Sequence, residues 1–189
     1  IGGLLGYFYT ARTIRLVSRR GLGEIAIFLA FGPVLTLGAL FAISSNTIEL
    51  FSNEFYNAIY LGIPFGFLTT NILYINQYPD TVSDATTGKN HLIVTLGKKN
   101  ARWGYLLLLS AAFGSSIYMT DIFADNLLNF NKNIFYAGNA ILFIYGFFAF
   151  INLFKNYDNR EVIHSNLKTI YLQIFYGLFM VIILNLFFI

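Results

Sequence analysis

Five stretches of this chain carry no Asp, Glu, Lys, Arg or His: Ile25–Ser45, Phe55–Tyr78, Trp103–Thr120, Asn133–Phe154 and Thr169–Ile189. Each is close to the roughly 20 residues that an α-helix needs to cross about 30 Å of hydrocarbon. A helix satisfies its own backbone hydrogen bonds, so it is the element that crosses lipid at no polar cost. Only 11% of the 189 residues are charged and 57% are hydrophobic, too few charges to cover a water-facing surface around five such runs. The fold class expected is therefore an all-α integral membrane protein, a multi-helix transmembrane bundle. There is no cysteine, so disulfides and thiolate metal sites are excluded.

The polar connections alternate strictly in charge. Ala11–Glu24, Pro79–Arg102 and Lys155–Lys168 together hold eleven basic residues, whereas Asn46–Glu54 has none and Asp121–Lys132 has only Lys132. By the positive-inside rule the three basic connections face the cytoplasm. The same alternation supports the helix count, because a missed span would scramble it. Ile1–Thr10 reads as the tail of a further apolar helix, which gives about five full spans plus part of a sixth. With no initiator Met, residues 1–189 are expected to be a single transmembrane domain, the C-terminal portion of a longer protein. Gly32-Pro33 and Pro64 fall inside spans, where proline kinks a helix. Asn71, Asn139 and Asn185 are polar residues within spans, a type that holds helices together in lipid.

Asn76, Asp80 and Asp84 are spaced four residues apart where the second full span reaches the cytoplasm. On a helix of 3.6 residues per turn they drift only ~40° per step and share one face over ~12 Å. Two carboxylates and an amide oxygen are hard ligands, and Mg²⁺ takes one or two such carboxylates, several waters and substrate phosphates. Gly88-Lys89 then turns the chain and supplies a cation for phosphate oxygens. Asp121 and Asp125 repeat the aspartate spacing on the outer side, but with Ile117 in place of the asparagine. The spacing alone is therefore weak evidence. The asparagine, the Gly-Lys and the cytoplasmic side distinguish the first cluster. Arg12 and Arg15 are candidates to clamp a diphosphate, since guanidinium groups pair with phosphate oxygens bidentately. Asn71, about one turn below Asn76, is a candidate to line the same cavity. His91 follows the Gly-Lys pair and could touch substrate, but a solvated loop residue is the reading expected.

At these residues the chain resembles the UbiA superfamily of intramembrane aromatic prenyltransferases. It is most like the MenA type, the 1,4-dihydroxy-2-naphthoate polyprenyltransferases of menaquinone synthesis. The stretches that carry the resemblance are Tyr9-Thr10 with Gly21-Leu22-Gly23-Glu24 and Phe31-Gly32-Pro33, then Asn71–Asn76 through Asp80 and Asp84 to Gly88-Lys89-Asn90 and Leu96-Gly97, and more weakly Asn166–Ile189. The resemblance implies a nine-helix fold around a cavity open to lipid, of which this chain holds the end of the fourth helix and the fifth to ninth. It also implies two aspartate motifs on cytoplasmic loops, each holding Mg²⁺ against a prenyl diphosphate, of which this chain carries the second. Ala85 and Thr95 stand where family members often have a basic residue.

The function expected is Mg²⁺-dependent transfer of a polyprenyl group from prenyl diphosphate to an aromatic acceptor. Asp80 and Asp84 are the catalytic and metal-binding candidates, with Asn76 as a third ligand. Lys89, Asn76, Arg12 and Arg15 are the diphosphate-binding candidates. The acceptor expected from the resemblance is 1,4-dihydroxy-2-naphthoate, with 4-hydroxybenzoate or homogentisate as alternatives. A transporter is the competing class, but carriers place ionisable residues near the midplane, and these spans have none. The expected partners are the two substrates and the lipid bilayer, with no nucleic acid. The location expected is a bacterial inner membrane, with the active-site loops cytoplasmic.

Overall fold

A computed structural model describes residues 1–44, 47–126 and 131–187, the side chains of 121–126 and 187 lying outside that description. Its elements are α1 (Gly2–Thr10), a 3₁₀ turn (Leu16–Ser18), α2 (Leu22–Phe31), α3 (Pro33–Ile43), α4 (Asn53–Thr86), α5 (Leu92–Leu96), α6 (Lys98–Asn126), α7 (Lys132–Asn156) and α8 (Val162–Phe187). No strand occurs among the described residues. Four helical stretches there are long and apolar enough to cross a bilayer: Leu22–Ile43, Asn53–Thr86, Lys132–Asn156 and Val162–Leu186. The Trp103–Thr120 run, expected as a further span, lies in α6. Leu107, Ile141, Leu178 and Val181 are exposed on the outside of the bundle, as lipid-facing side chains are. The chain is a multi-pass membrane protein.

The first full span is not one kinked helix. Pro33 has no N–H to donate and takes the first position of α3, where that donor has no partner to lose. The chain therefore breaks into α2 and α3 at Gly32. A Cβ on Gly32 would lie 2.8 Å from the Gly62 carbonyl oxygen and 2.8 Å from Gly66 Cα. Backbone thus meets backbone at the break, the close approach that small residues permit in lipid. Pro64 and Pro79, by contrast, lie within one 34-residue helix, α4. Neither ends it, and Pro79 does not begin a new helix, although both lack a donor.

α4 is the hub of the bundle. Against α6 it forms an antiparallel ladder: Asn71 Nδ2 donates to the Tyr105 carbonyl (3.2 Å), Tyr74 Oη to Ala101 (2.7 Å) and Tyr78 Oη to Lys98 (3.4 Å). Against α8 it pairs Asn76 with Asn166 and Thr69 with Gln173 (3.1 Å), and Phe65 packs edge-on to Tyr176. Between α6 and α8, Tyr105 meets Thr169 and Tyr176 meets Ser116, both at 2.8 Å. Each buried phenol thereby finds the partner that a low-dielectric interior demands. Among the described residues Asn139 and Asn185 do not bridge helices; each amide donates to the carbonyl four residues back, of Phe135 and Val181.

Candidate functional site

At ~1.5 Å per residue, the 34 residues of α4 span ~51 Å, so the helix outruns the hydrocarbon by about 20 Å. Its last turns, beyond the charge-free run that ends at Tyr78, carry Asp80 and Asp84. The Asp84 carboxylate, in the last turn, faces the negative end of the helix macrodipole, a placement that costs about 0.3–1 kcal/mol. A local rule broken in this way is a mark of a functional position.

The turn that follows offsets the cost. The Lys89 N–H donates to the Asp84 carbonyl (3.0 Å) and the Gly88 N–H to Ala85 (3.3 Å), the paired bonds of a Schellman cap. Gly88 holds φ +75°, open to glycine without strain. This reversal folds Lys89 back over the last turn, and its Nζ donates to Asp84 Oδ1 at 2.7 Å. His91 Nε2 lies 3.2 Å from the other oxygen, Oδ2. Asp84 is left 13% exposed, and the His91 side chain only 2%. The expectation of a solvated His91 is thus corrected.

Contacts distant in sequence hold the 88–92 segment in place. The Asn90 N–H donates to the carbonyl of Ser18 (3.0 Å), in the 3₁₀ turn. The Leu92 N–H donates to Glu24 Oε1 at 3.4 Å. Glu24 sits in the first turn of α2, where the helix dipole favours an anion. It is buried, and its Oε2 has no hydrogen-bond partner among the described residues.

The other candidate residues are distributed as follows. Asp80 is exposed, and its carboxylate makes no hydrogen bond or ion pair among the described residues. The Asn76 oxygen accepts from Asn166 on α8. Arg12 and Arg15 are exposed in the segment between α1 and α2 and form no ion pair among the described residues. Asn71 is buried in the α4–α6 contact, its Nδ2 used by Tyr105 and its Oδ1 without a partner among the described residues. The Asp121 and Asp125 side chains lie outside the described residues. A cavity of about 700 Å³ opens beside α4, lined by Tyr78, Pro79, Lys98, Tyr157, Asp158 and Arg160 among others, and it shares none of Asn76, Asp80 and Asp84.

Among the described residues no three His, Cys, Asp or Glu side chains gather into a metal cage. The arrangement on α4 is instead two carboxylates and an amide oxygen on one face. That donor set fits Mg²⁺, which completes its octahedron from water and phosphate, and it would suit neither Zn²⁺ nor a thiolate-seeking metal. Three contributors escaped the sequence pattern: His91, Glu24 and Asn166. For His91 a signal existed, since a Schellman reversal returns the next few residues over the last turn of its helix.

Residues 1–185 match the UbiA prenyltransferase family. The chain belongs to this family. It is similar to the UbiA prenyltransferase domain-containing protein 1 of Dictyostelium discoideum, 29% identical over 176 residues that make up 93% of this chain and 47% of that protein. A 1,4-dihydroxy-2-naphthoate octaprenyltransferase of Haemophilus influenzae is 34% identical over 92 residues, 49% of this chain and 28% of that protein. A chloroplastic 2-carboxy-1,4-naphthoquinone phytyltransferase of Arabidopsis thaliana is 31% identical over 111 residues, 57% of this chain and 29% of that protein. The chain thus spans about half the length, or less, of these curated UbiA-type relatives. No solved structure gives a significant match.

Proposed function

We propose that the protein transfers a polyprenyl group from a prenyl diphosphate to an aromatic acceptor, with Asp80 and Asp84 as ligands of Mg²⁺ and Asn76 as a third. The observation that carries this reading is the carboxylate pair on the protruding end of α4, with Lys89 turned back onto it at 2.7 Å. When bound, Mg²⁺ supplies charge neutralisation to the diphosphate as it leaves. Lys89 brings a further positive charge to the same end, preorganised by the turn at Gly88. Arg12 and Arg15, exposed and without an ion pair among the described residues, carry the fork geometry that suits diphosphate oxygens.

In the reaction proposed, the allylic C–O bond breaks and the diphosphate departs with its electron pair. The allylic carbon then bonds to an electron-rich ring carbon. Two relatives are named for naphthalene-type substrates, 1,4-dihydroxy-2-naphthoate and 2-carboxy-1,4-naphthoquinone, which favours 1,4-dihydroxy-2-naphthoate as acceptor here. With that acceptor the ring carbon sheds its carboxylate as CO₂ and aromaticity returns. We further propose a bacterial inner membrane, with the Asp80–Asp84 end cytoplasmic, on the strength of eleven basic residues on that side against one.

The test is Asp80→Ala in the full-length protein, assayed for prenylated product with Mg²⁺ and with each of 1,4-dihydroxy-2-naphthoate, 4-hydroxybenzoate and homogentisate. Loss of product is expected, with wild-type turnover on the naphthoate alone. Undiminished Mg²⁺-dependent transfer by the variant would overturn the assignment.

A further inference from the structure

We propose that His91 is a positioning residue that holds the Asp84 carboxylate in a fixed orientation for a divalent cation; the inference rests on the reading of Asp84 as a ligand. The His91 ring is 2% exposed. Its Nε2 faces Asp84 Oδ2 at 3.2 Å, and its Nδ1 is buried with no hydrogen-bond partner among the described residues. Burying an imidazole with one nitrogen unsatisfied costs about 1–3 kcal/mol. An apolar side chain would fill the same space without that cost. The one polar service that the ring performs is to Asp84, so the Nε2–H tautomer is the one this geometry selects.

Asp84 receives one donor on each oxygen, Lys89 on Oδ1 and His91 on Oδ2. Each carboxylate oxygen has two lone pairs, so each keeps one for a cation while rotation about the Cβ–Cγ bond is blocked. The support is itself braced. The backbone on either side of His91 is tied down, Asn90 to the Ser18 carbonyl and Leu92 to Glu24. Asp80 has no such brace: its carboxylate is exposed and unpartnered among the described residues. The two carboxylates of one face are therefore unlike, one fixed in advance and one able to adjust to whatever is bound. Partners behind a ligating carboxylate typically govern 10- to 100-fold in metal affinity.

The experiment uses the purified full-length protein and Mn²⁺ as the probe, titrated with electron paramagnetic resonance detection. His91→Ala is expected to weaken Mn²⁺ binding about 10- to 100-fold. His91→Gln, whose terminal amide presents an N–H near the position of Nε2, is expected to restore most of it. In steady state, His91→Ala should raise the half-saturating Mg²⁺ concentration while kcat at saturating Mg²⁺ stays near wild type, a split that a general loss of structure would not produce. Thermal unfolding of His91→Gln close to wild type provides the folding control. If His91→Ala binds Mn²⁺ as wild type does while Asp84→Asn is weakened, the inference fails and the reading of Asp84 survives. If Asp84→Asn itself binds as wild type does, that reading fails and takes the inference with it. Equal weakening in the Ala and Gln variants would also overturn the proposal, because a donor at Nε2 would then not be what matters.

Discussion

Replacing Gly88 in the full-length protein isolates the turn that brings Lys89 back to Asp84. Gly88 sits at φ +75°, and a Cβ built there meets nothing within 4 Å. The cost of a side chain is therefore purely one of backbone conformation. For an ordinary L-residue the left-handed region costs about 1–2 kcal/mol, and asparagine tolerates it better. Gly88→Ala should lower unfolding stability by about that amount, Gly88→Asn by less, and β-branched Gly88→Val by more. Since about 1–2 kcal/mol corresponds to roughly a 5- to 30-fold change in an equilibrium, that factor is also the ceiling on any rise in the half-saturating prenyl diphosphate concentration. The Asn90–Ser18 and Leu92–Glu24 contacts absorb part of the strain, so the observed rise should fall below it. Denaturant titration in a detergent of fixed composition, paired with substrate titration at saturating Mg²⁺, measures both. Wild-type stability in Gly88→Ala, or a larger loss in Gly88→Asn than in Gly88→Val, would refute the argument.

Gly62→Ala should prevent a stable α2–α4 contact, because its Cβ would lie 2.6 Å from the Gly32 carbonyl carbon, whereas Gly38→Ala meets nothing within 4 Å and should be neutral or gain up to about 1 kcal/mol; yields of folded protein separate the two. Arg102 donates to the Phe154 carbonyl at 3.2 Å and stacks 3.7 Å from the Phe154 ring centroid. Its replacement by Ala should cost about 2 kcal/mol and by Lys about 1, read from thermal unfolding. The Glu54 carboxyl is held below its ordinary value by its own backbone N–H and the Ser52 hydroxyl. A lowered folded-state value means that the stabilisation is full above the ordinary carboxylate range and is lost as pH falls through the lowered value. Glu54→Gln should flatten the pH dependence of the unfolding midpoint in that acid window, lowering the midpoint at neutral pH while leaving it unchanged below the window.

How far the sequence carried these conclusions depended on the range of the interactions involved. The membrane helices were legible because hydrocarbon thickness imposes a length and a composition on each one separately. The shared face of Asn76, Asp80 and Asp84 follows from helical period alone, and the return of Lys89 follows from a glycine at the helix end. Every one of those inferences stays within a single helix or the turn that ends it. The burial of His91 escapes such a reading because the 90–92 segment is held by Ser18 in the 3₁₀ turn and Glu24 in the first turn of α2, about 70 residues earlier. No local pattern announces such a contact. The partner of Asn76 lies 90 residues away on α8, and nothing in the spacing of either asparagine points to the other. The break at Gly32-Pro33 was visible as a proline in a span, but whether proline bends or divides a helix is decided by what packs there. At Gly32 the backbone of α4 fills the place of a side chain. At Pro64 and Pro79 the helix continues.

The α4–α8 seam has a consequence for depth. Asn76 with Asn166 and Thr69 with Gln173 are separated by seven residues on each helix, in opposite directions. If α4 slid along its axis by a single turn, both pairs would come apart together, leaving Thr69 and Gln173 without each other inside the membrane. Greasy surfaces alone resist such sliding weakly, since one leucine is as good a neighbour as the next. The two polar rungs therefore act as a ruler, setting how far α4 stands proud of the membrane and hence the height at which Asp80 and Asp84 meet the water layer.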